Sequence, residues 1–442
     1  MRILPLTSAA LACVSLASRA QAQCTTLANT DYDQGSGGPS PAAANASACC
    51  DLCASAGAAS CWAAVFDPQT GCWFKTQAQT TKGVYNEIVT ACWPSGRVPP
   101  PPPSPPPPPK YTASIVTMPD APVISFLAGQ TDWPQSFNPA YVQPSVGTGH
   151  KQGLLVRSQN CTGWTPGQCI GCNVDGGHPI APWFPGSVVT FAQLMPDGTF
   201  AKPYLVFAPD ASQPEDYGTE DPRLTFDPST QLYHLFYTCY SSKIGPRLCH
   251  ATTTDPTAPI AEANWTRYGQ VFPDDGPGTK SGALLIRDAP PHYLIWGAGV
   301  IHLATSSDLY SWTTINSTYI LPRGGGFDDS LVEAGPSPMR LADGNYVFFH
   351  NSDNSTHACY NAEWSIISYA DPRVVLQRAP VPLISPTRDW ELGEAPAECN
   401  VGCVVFLEAA TPVLGQPNTF DVYFGGSDAV IGTARVKINI GA

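Results

Sequence analysis

The 442-residue chain is short of positive charge: 22 Lys and Arg stand against 35 Asp and Glu, a formal net charge of −13. Phosphate backbones reward clustered Lys and Arg, so this scarcity argues against nucleic acid as a partner. Beyond the N-terminus no segment offers the ~20 consecutive apolar residues of a membrane-spanning helix. Helical periodicity is almost absent from residues 111–442. No glycine-rich loop follows a strand and opens a helix, which removes the usual nucleotide cradle. Between residues 23 and 95 there is no histidine. What remains, an acidic and aromatic-rich chain, is compatible with a neutral polar ligand such as a sugar.

Residues 1–22 read as a secretory signal. Arg2 is the basic start, Ile3 to Ala17 the apolar middle and Ala20-Gln21-Ala22 the small-x-small cleavage site. A membrane anchor is the rival reading, but the run is short and rich in Ser and Thr. The expectation is a soluble mature chain from about Gln23, secreted, extracellular or in a cell wall. Of sixteen cysteines, loss of Cys13 leaves fifteen, a number that suits an oxidising compartment and implies at least one unpaired or intermolecular thiol. Asn45, Asn160, Asn264, Asn316 and Asn354 open Asn-x-Ser/Thr sequons.

Val98 to Lys110 reads VPPPPPSPPPPPK. Proline fixes φ and donates no backbone hydrogen bond, so this stretch is an extended polyproline II rod of roughly 34 Å at ~3.1 Å per residue. It marks a linker over 96–110 and resembles the hydroxyproline-rich spacers of plant and green-algal wall proteins. Residues 23–95 hold seven cysteines, and a domain that small needs staples. Cys50-x-x-Cys53, Cys61-Trp62-Ala63-Ala64-Val65-Phe66 and Cys72-Trp73-Phe74-Lys75 resemble the PAN/apple pattern, a helix with two cysteines packed on a sheet. The resemblance implies Cys24–Cys92, Cys50–Cys72 and Cys53–Cys61 bridges, with Cys49 left over, and a protein or a glycan as the module's partner. A zinc site is the alternative reading of these cysteines.

Residues 111–442 show short apolar or aromatic runs broken by turns, such as Tyr233–Tyr240, Tyr293–Ile301 and Val422–Gly426. This is the pattern of an all-β domain. A loose repeat is visible: a motif-bearing strand, a turn, an aromatic strand, then an Ala-Thr/Ser strand. About five units fit from Asn138 onward, at a spacing near that of propeller blades. A β-sandwich pair is the alternative.

Tyr217-Gly218-Thr219-Glu220-Asp221-Pro222-Arg223 places two adjacent carboxylates and a guanidinium at the head of an apolar strand. Charges so crowded suit a site that protonates one oxygen while gripping others. Asp221 is the candidate general acid, because a carboxyl beside Glu220 is expected to keep a proton near neutral pH. A structural Asp-Pro turn with Arg223 in an ion pair is the plainer alternative.

The region 137–434 resembles glycoside hydrolase family 130, five-bladed β-propellers that act on β-mannosides by phosphorolysis or hydrolysis. The matching segments are Phe137-Asn138-Pro139-Ala140, Leu154-Leu155-Val156-Arg157, Glu220-Asp221-Pro222-Arg223, Lys280-Ser281-Gly282-Ala283-Leu284, Leu331-Val332-Glu333-Ala334-Gly335-Pro336 and Tyr423-Phe424-Gly425-Gly426-Ser427-Asp428. The resemblance implies the same acid, Asp221, with its proton delivered directly or through a sugar hydroxyl. Asn138, Arg157 and Asp428 fall at positions that hold mannosyl hydroxyls, and Glu220 and Arg223 flank the acid in the substrate-binding set. Arg247, Arg267 and Lys280 fall where phosphorylases of the family grip inorganic phosphate. The histidine expected some eighteen residues after Lys280 is absent, and Trp296-Gly297 stands there.

If water attacks instead, a second carboxylate must take its proton; Glu333 is the first candidate and Glu398 the second. Trp133, Trp164, Trp183 and Trp296 are candidates to stack on sugar faces. Two of them lie in an insertion, Asn160 to Pro185, with Cys161, Cys169 and Cys172. In an exported protein these cysteines, like Cys399 and Cys403, read as disulfides rather than metal ligands, and Cys239 with Cys249 as a pair on neighbouring strands. No cofactor is implied beyond phosphate in the phosphorylase reading. The function expected is inverting hydrolysis of β-mannosides or related mannose-containing glycans, with phosphorolysis second and a catalytically inactive carbohydrate-binding or adhesion protein third.

Overall fold

The structure, a computed structural model, describes residues 25–32, 43–57, 60–67, 71–75, 83–94, 110–125, 133, 135–143, 151–159, 186–274, 278–356, 359–394 and 401–441. The signal segment, the proline run up to 109, Cys24, the insertion 160–185 with its cysteines and tryptophans, Glu398 and Cys399 lie outside the described residues. The chain divides into two compact units, Met1–Pro108 and Pro109–Ala442. Among the described residues no helix is long and apolar enough to cross a membrane.

The first unit contains β1 (Thr25–Tyr32), α1 (Ala46–Ala56), β2 (Ala63–Asp67), β3 (Gly71–Lys75) and β4 (Gly83–Trp93), with the strands in the order β1-β4-β2-β3. Asn45 starts α1 by accepting a hydrogen bond from the Ala48 amide at 2.9 Å, and Gly57, at φ 79°, ends it. Cys49 and Cys53 are four residues apart and share one helix face. They bridge to Cys72 on β3 and to Cys61 before β2. The expected Cys50–Cys72 bridge is therefore corrected to Cys49–Cys72, because Cys50 is turned about 100° away around the helix. Cys92 has no disulfide among the described residues; its buried thiol lies 3.6 Å from the Ala46 carbonyl.

The second unit is all-β. It opens with β5 (Tyr111–Thr117) and then runs through five antiparallel sheets. The first is β6 (Gln135–Val142), β7 (Gly153–Gln159), β8 (Val188–Gln193) and β9 (Tyr204–Phe207). The second is β10 (Gly218–Asp227), β11 (Leu232–Ser241), β12 (Gly245–Thr253) and β13 (Thr266–Gln270). The third is β14 (Gly282–Leu285), β15 (His292–Trp296), β17 (Ile301–Ser306) and β18 (Thr313–Ile320), while β16 (Ala298–Gly299) crosses to the fourth. The fourth holds β19 (Leu331–Ala334), β20 (Met339–Arg340), β21 (Tyr346–Asp353), β22 (Asn361–Ile367) and β23 (Val375–Arg378). After the one-turn α2 (Asp389–Leu392), the fifth holds β24 (Val405–Pro412), β25 (Thr419–Gly426) and β26 (Val430–Ile440), and β5 completes it on the outside.

Strand alternation buries both faces of each sheet. On β11, Leu235 and Tyr237 pack toward the first sheet, while Phe236 packs with Leu284 and Trp296 of the third. Ala283 and Ile295 meet Val332 and Phe348 between the third and fourth sheets, and Phe349 and Trp364 meet Leu407 and Phe424 between the fourth and fifth. Tyr141 and Val156 of the first sheet close the circle against Ala409, Tyr423 and Ile431 of the fifth. Each sheet thus packs on the next and the last on the first. The first long strand of each sheet faces the space they enclose.

Phe349 is fully buried and packs edge-on to Phe420 at 5.8 Å. Phe349→Ala is expected to lower unfolding stability by about 3–5 kcal/mol, read from the urea midpoint; a loss below about 1 kcal/mol would show that the interface does not hold the ring shut.

Candidate active site

Two strands place their site residues by the same backbone device. β6 loses register with β7 between Phe137 and Pro139, and β10 with β11 between Glu220 and Arg223. Each break holds a residue followed by proline, which cannot donate to the ladder. The displaced residues, Asn138 at φ 47° and Asp221 at φ 49°, sit in the left-handed region that non-glycine residues rarely enter. Ser281 (57°) and Asp428 (51°) share that conformation. Such bulges re-aim a side chain, and such strain gathers at functional sites. Gly425 is required opposite: a Cβ there would lie 2.4 Å from Asn138 Oδ1.

Asp221 is buried, and its Oδ1 accepts from Asn138 Nδ2 at 2.8 Å and Arg157 Nη1 at 2.9 Å. Arg157 Nη2 donates to Glu220 Oε1 at 2.7 Å and its Nε to Ser187 Oγ at 2.9 Å. Ser187 in turn donates to Glu220 Oε1, and Gln159 Nε2 donates to Ser187. One guanidinium thus spans both carboxylates. Burial pushes the Asp221 carboxyl up, but Arg157, Lys280, Arg223 and the Asn138 amide outweigh it and hold the group well below the usual range. Glu220 goes the other way, because burial exceeds the pull of Arg157 and Asp221 adds to it. Asp428 is pushed up to about 6, first by burial, against Arg157, with Asp221 reinforcing the rise. The expectation that Glu220 keeps a proton on Asp221 is corrected: the surrounding donors favour the ionised form of Asp221, and its neighbours Glu220 and Asp428 hold protons more readily.

Arg223 is not open to a sugar at Asp221. At 2% exposure it lies beneath Asp221, where Nη1 donates to the Asp221 carbonyl at 2.8 Å and pairs with Glu408 Oε1 at 2.7 Å. Its Nη2 donates to the Ala334 carbonyl. It positions the Asp221 bulge rather than touching a sugar held at Asp221.

Glu333 is fully buried; its Oε1 meets Lys280 Nζ at 3.0 Å and the Ser281 hydroxyl at 2.5 Å, and its Oε2 has no partner among the described residues. Lys280 remains charged, since Glu333 and Asp221 together outweigh its burial.

The expected phosphate set does not assemble as a unit. Arg267 is committed to Glu215 at 2.7 Å, donates to the Ala208 carbonyl and stacks 3.8 Å over Phe207. Glu215 also accepts from the Tyr237 hydroxyl. Arg247 lies at the start of β12, partnered across the ladder with Cys239. Lys280 reaches the Asp221 cluster. Trp296 is likewise core, 5% exposed and stacked between Phe272 and His302 at 4.4 and 4.3 Å. The Ser136 hydroxyl caps the Trp133 carbonyl. Cys239 and Cys249 form the bridge read from their strands.

Sequence reasoning missed Glu408, Ser187, Gln159, Ser281 and Tyr360. Tyr360 is held by the Cys359–Cys403 bridge and by backbone bonds to Cys403 and Val405. Burial and then Glu333 push its phenol up to about 12, against Lys280. The only signal in the sequence was its position next to Cys359. Among the described residues no group of three or more His, Cys, Asp or Glu is arranged to hold a metal ion.

A family model described as beta-1,4-mannooligosaccharide phosphorylase matches residues 192–440, from β8 through β26. A 1,2-beta-oligomannan phosphorylase of Thermoanaerobacter sp. (strain X514) is 26% identical over 225 residues, 50% of this chain and 69% of the relative. A Beta-1,2-mannobiose phosphorylase of the same strain is 26% identical over 241 residues, 54% of this chain and 72% of that one. A solved structure superposes with a TM-score of 0.58 at 25% identity, covering 73% of this chain and 94% of its own; it is described as showing that the mannoside phosphorylase family contains glycoside hydrolases that target beta-1,2 mannosidic linkages in Candida mannan. A glycosyl hydrolase from Bacteroides ovatus shares the fold, with a TM-score of 0.57 at 23% identity over 72% of this chain and 91% of its own. With more than half of its 442 residues matched by the family model, the chain belongs to glycoside hydrolase family 130 and is an enzyme of that family of mannoside phosphorylases and glycoside hydrolases.

Proposed function

We propose that the five sheets are the blades of a β-propeller and that its axial site cleaves β-mannosides by inverting hydrolysis. The circular packing, with β5 closing the last sheet, supports the propeller. In the proposed reaction a water oxygen bonds to the anomeric carbon as the bond to the leaving oxygen breaks. Glu333 takes the water's proton on its unpartnered Oε2, and Asp221 delivers a proton to the leaving oxygen, directly or through a sugar hydroxyl. Asp221 gains that proton from the neighbouring Glu220 carboxyl, which holds one more readily, when substrate fills the site. Burial is already the largest influence on this carboxyl, and a sugar hydroxyl that draws Asn138 or Arg157 off Oδ1 tips it toward the protonated form. Asn138, Arg157 and Asp428 hold the sugar hydroxyls. The observation that carries hydrolysis over phosphorolysis is Arg267, whose guanidinium is used up by Glu215.

The N-terminal unit is read as an apple-like module on an exported enzyme, consistent with its helix stapled to a sheet. Phosphorolysis stays the second reading, favoured by Lys280 at the site and by the names of the relatives.

Incubation with β-linked manno-oligosaccharides in phosphate-free buffer is expected to release free mannose. Mannose 1-phosphate formed only in the presence of phosphate would replace hydrolysis by phosphorolysis. Asp221→Asn is expected to lower kcat by about 10²–10⁴-fold with sugar affinity within a few fold, as for loss of a general acid; unchanged turnover removes Asp221 from the mechanism. Asp428 is ionised increasingly above about 6, and in that form it accepts sugar hydroxyls more strongly. KM is therefore expected to rise as pH falls through 6, and Asp428→Asn to flatten that dependence; a KM profile identical in the variant would separate Asp428 from substrate binding.

A further inference from the structure

On the inner strands the site residues come first and a cavity follows. Asn138 precedes Ala140 and Tyr141, Asp221 precedes Leu224 to Ser229, Ser281 precedes Leu284 to Asp288, and Glu333 precedes Pro336 to Arg340. Those later residues, with Glu408 to Ala410 of β24, line a cavity of about 580 Å³. Asp221 and Asp227 are six residues apart along β10, about 20 Å at ~3.3 Å per residue. The cavity therefore opens at the end of the ring away from Asp221, and the Arg223–Glu408 pair forms the partition between the two.

We propose that this second axial cavity is a binding site for a neutral sugar, taking one hexose unit whose hydroxyls meet Glu408 and Arg223. Glu408 and Arg223 line the cavity while exposing only 1% and 2% of their surface. Glu408 Oε2 and Arg223 Nε have no partner among the described residues. A buried acceptor and a buried donor left without partners are unfavourable, because neither recovers the hydrogen bond it made to water. A vicinal diol satisfies both, one hydroxyl donating to Oε2 and its neighbour accepting from Nε. Farther out, Asp227 and Asp288 balance Arg287 and Arg340, so the wall selects neither anion nor cation. Tyr346 adds an aromatic wall, and Arg340 is steadied over Tyr369 at 3.5 Å to the ring centre. The volume lies within the ~300–1,000 Å³ of small-ligand pockets. Nothing in the hydrolytic reading uses this space.

Mannose serves as the probe, a choice that rests on the β-mannoside reading, whereas the cavity's demand for a diol does not. Calorimetric titration of the full chain is expected to show a saturable site besides the one at Asp221. Ser337→Trp, which fills the cavity, and Arg340→Ala, at its exposed rim, are each expected to weaken that site by at least about tenfold, while release of mannose from mannobiose stays within about twofold. A single site untouched by both variants, or no saturable binding, overturns the proposal and leaves the cavity to water. Turnover measured on the same preparations reports the Asp221 site separately. If it is absent from every preparation, the β-mannosidase reading fails, while the titration still decides the cavity.

Discussion

Arg157 spans Asp221 and Glu220 with two nitrogens of one guanidinium, and that fork sets the charge state of the whole axis. Five carboxyl groups (Glu220, Asp221, Glu333, Glu408 and Asp428) interact there with three cations, Arg157, Arg223 and Lys280. Buried charge is tolerated only when paired, so an excess of carboxylates must hold protons. Burial raises Glu408 despite Arg223, and Glu220 and Asp428 rise with it, while Asp221, which has the most donors, does not. Asp221 is thus a carboxylate flanked by Glu220, Glu408 and Asp428, which hold protons more readily than it does. That arrangement suits a reaction which must move a proton onto an oxygen only after substrate has excluded water.

The same cluster explains the unusual backbone around it. Asn138, Asp221, Ser281 and Asp428 all carry positive φ, and strain at four inward-facing positions persists only where surrounding contacts over-determine it. Arg223 supplies part of that determination by holding the Asp221 and Ala334 carbonyls together across two strands. The circular core supplies the rest, since each sheet is fixed on both faces. Beyond the Arg223–Glu408 pair, later residues of the same strands line a second cavity.

Much of this was legible in the residues. The all-β character followed from short apolar runs and missing helical periodicity, and the Asn-Pro and Asp-Pro pairs marked the places where the ladder breaks. The Cys239–Cys249 bridge was legible because consecutive strands pair antiparallel and bring residues ten apart together. The choice of Cys49 over Cys50 was not, because adjacent cysteines differ only in which helix face they occupy. Nor was the fate of Arg267: its spacing matched a phosphate ligand, but Glu215 lies 52 residues away in sequence and meets it only across the folded sheet.

Local chemistry settled that the chain after the proline run is built of short strands, that Asn138 and Asp221 each precede a proline, and that a carboxylate pair with an arginine stands at the head of an apolar strand. Those properties depend on neighbours in the chain. The protonation order within the carboxyl cluster, the burial of Arg223 and the enlistment of Glu408 and Tyr360 came only with the fold. They depend on desolvation and on charges from separate sheets, and both quantities exist only after the ring has closed.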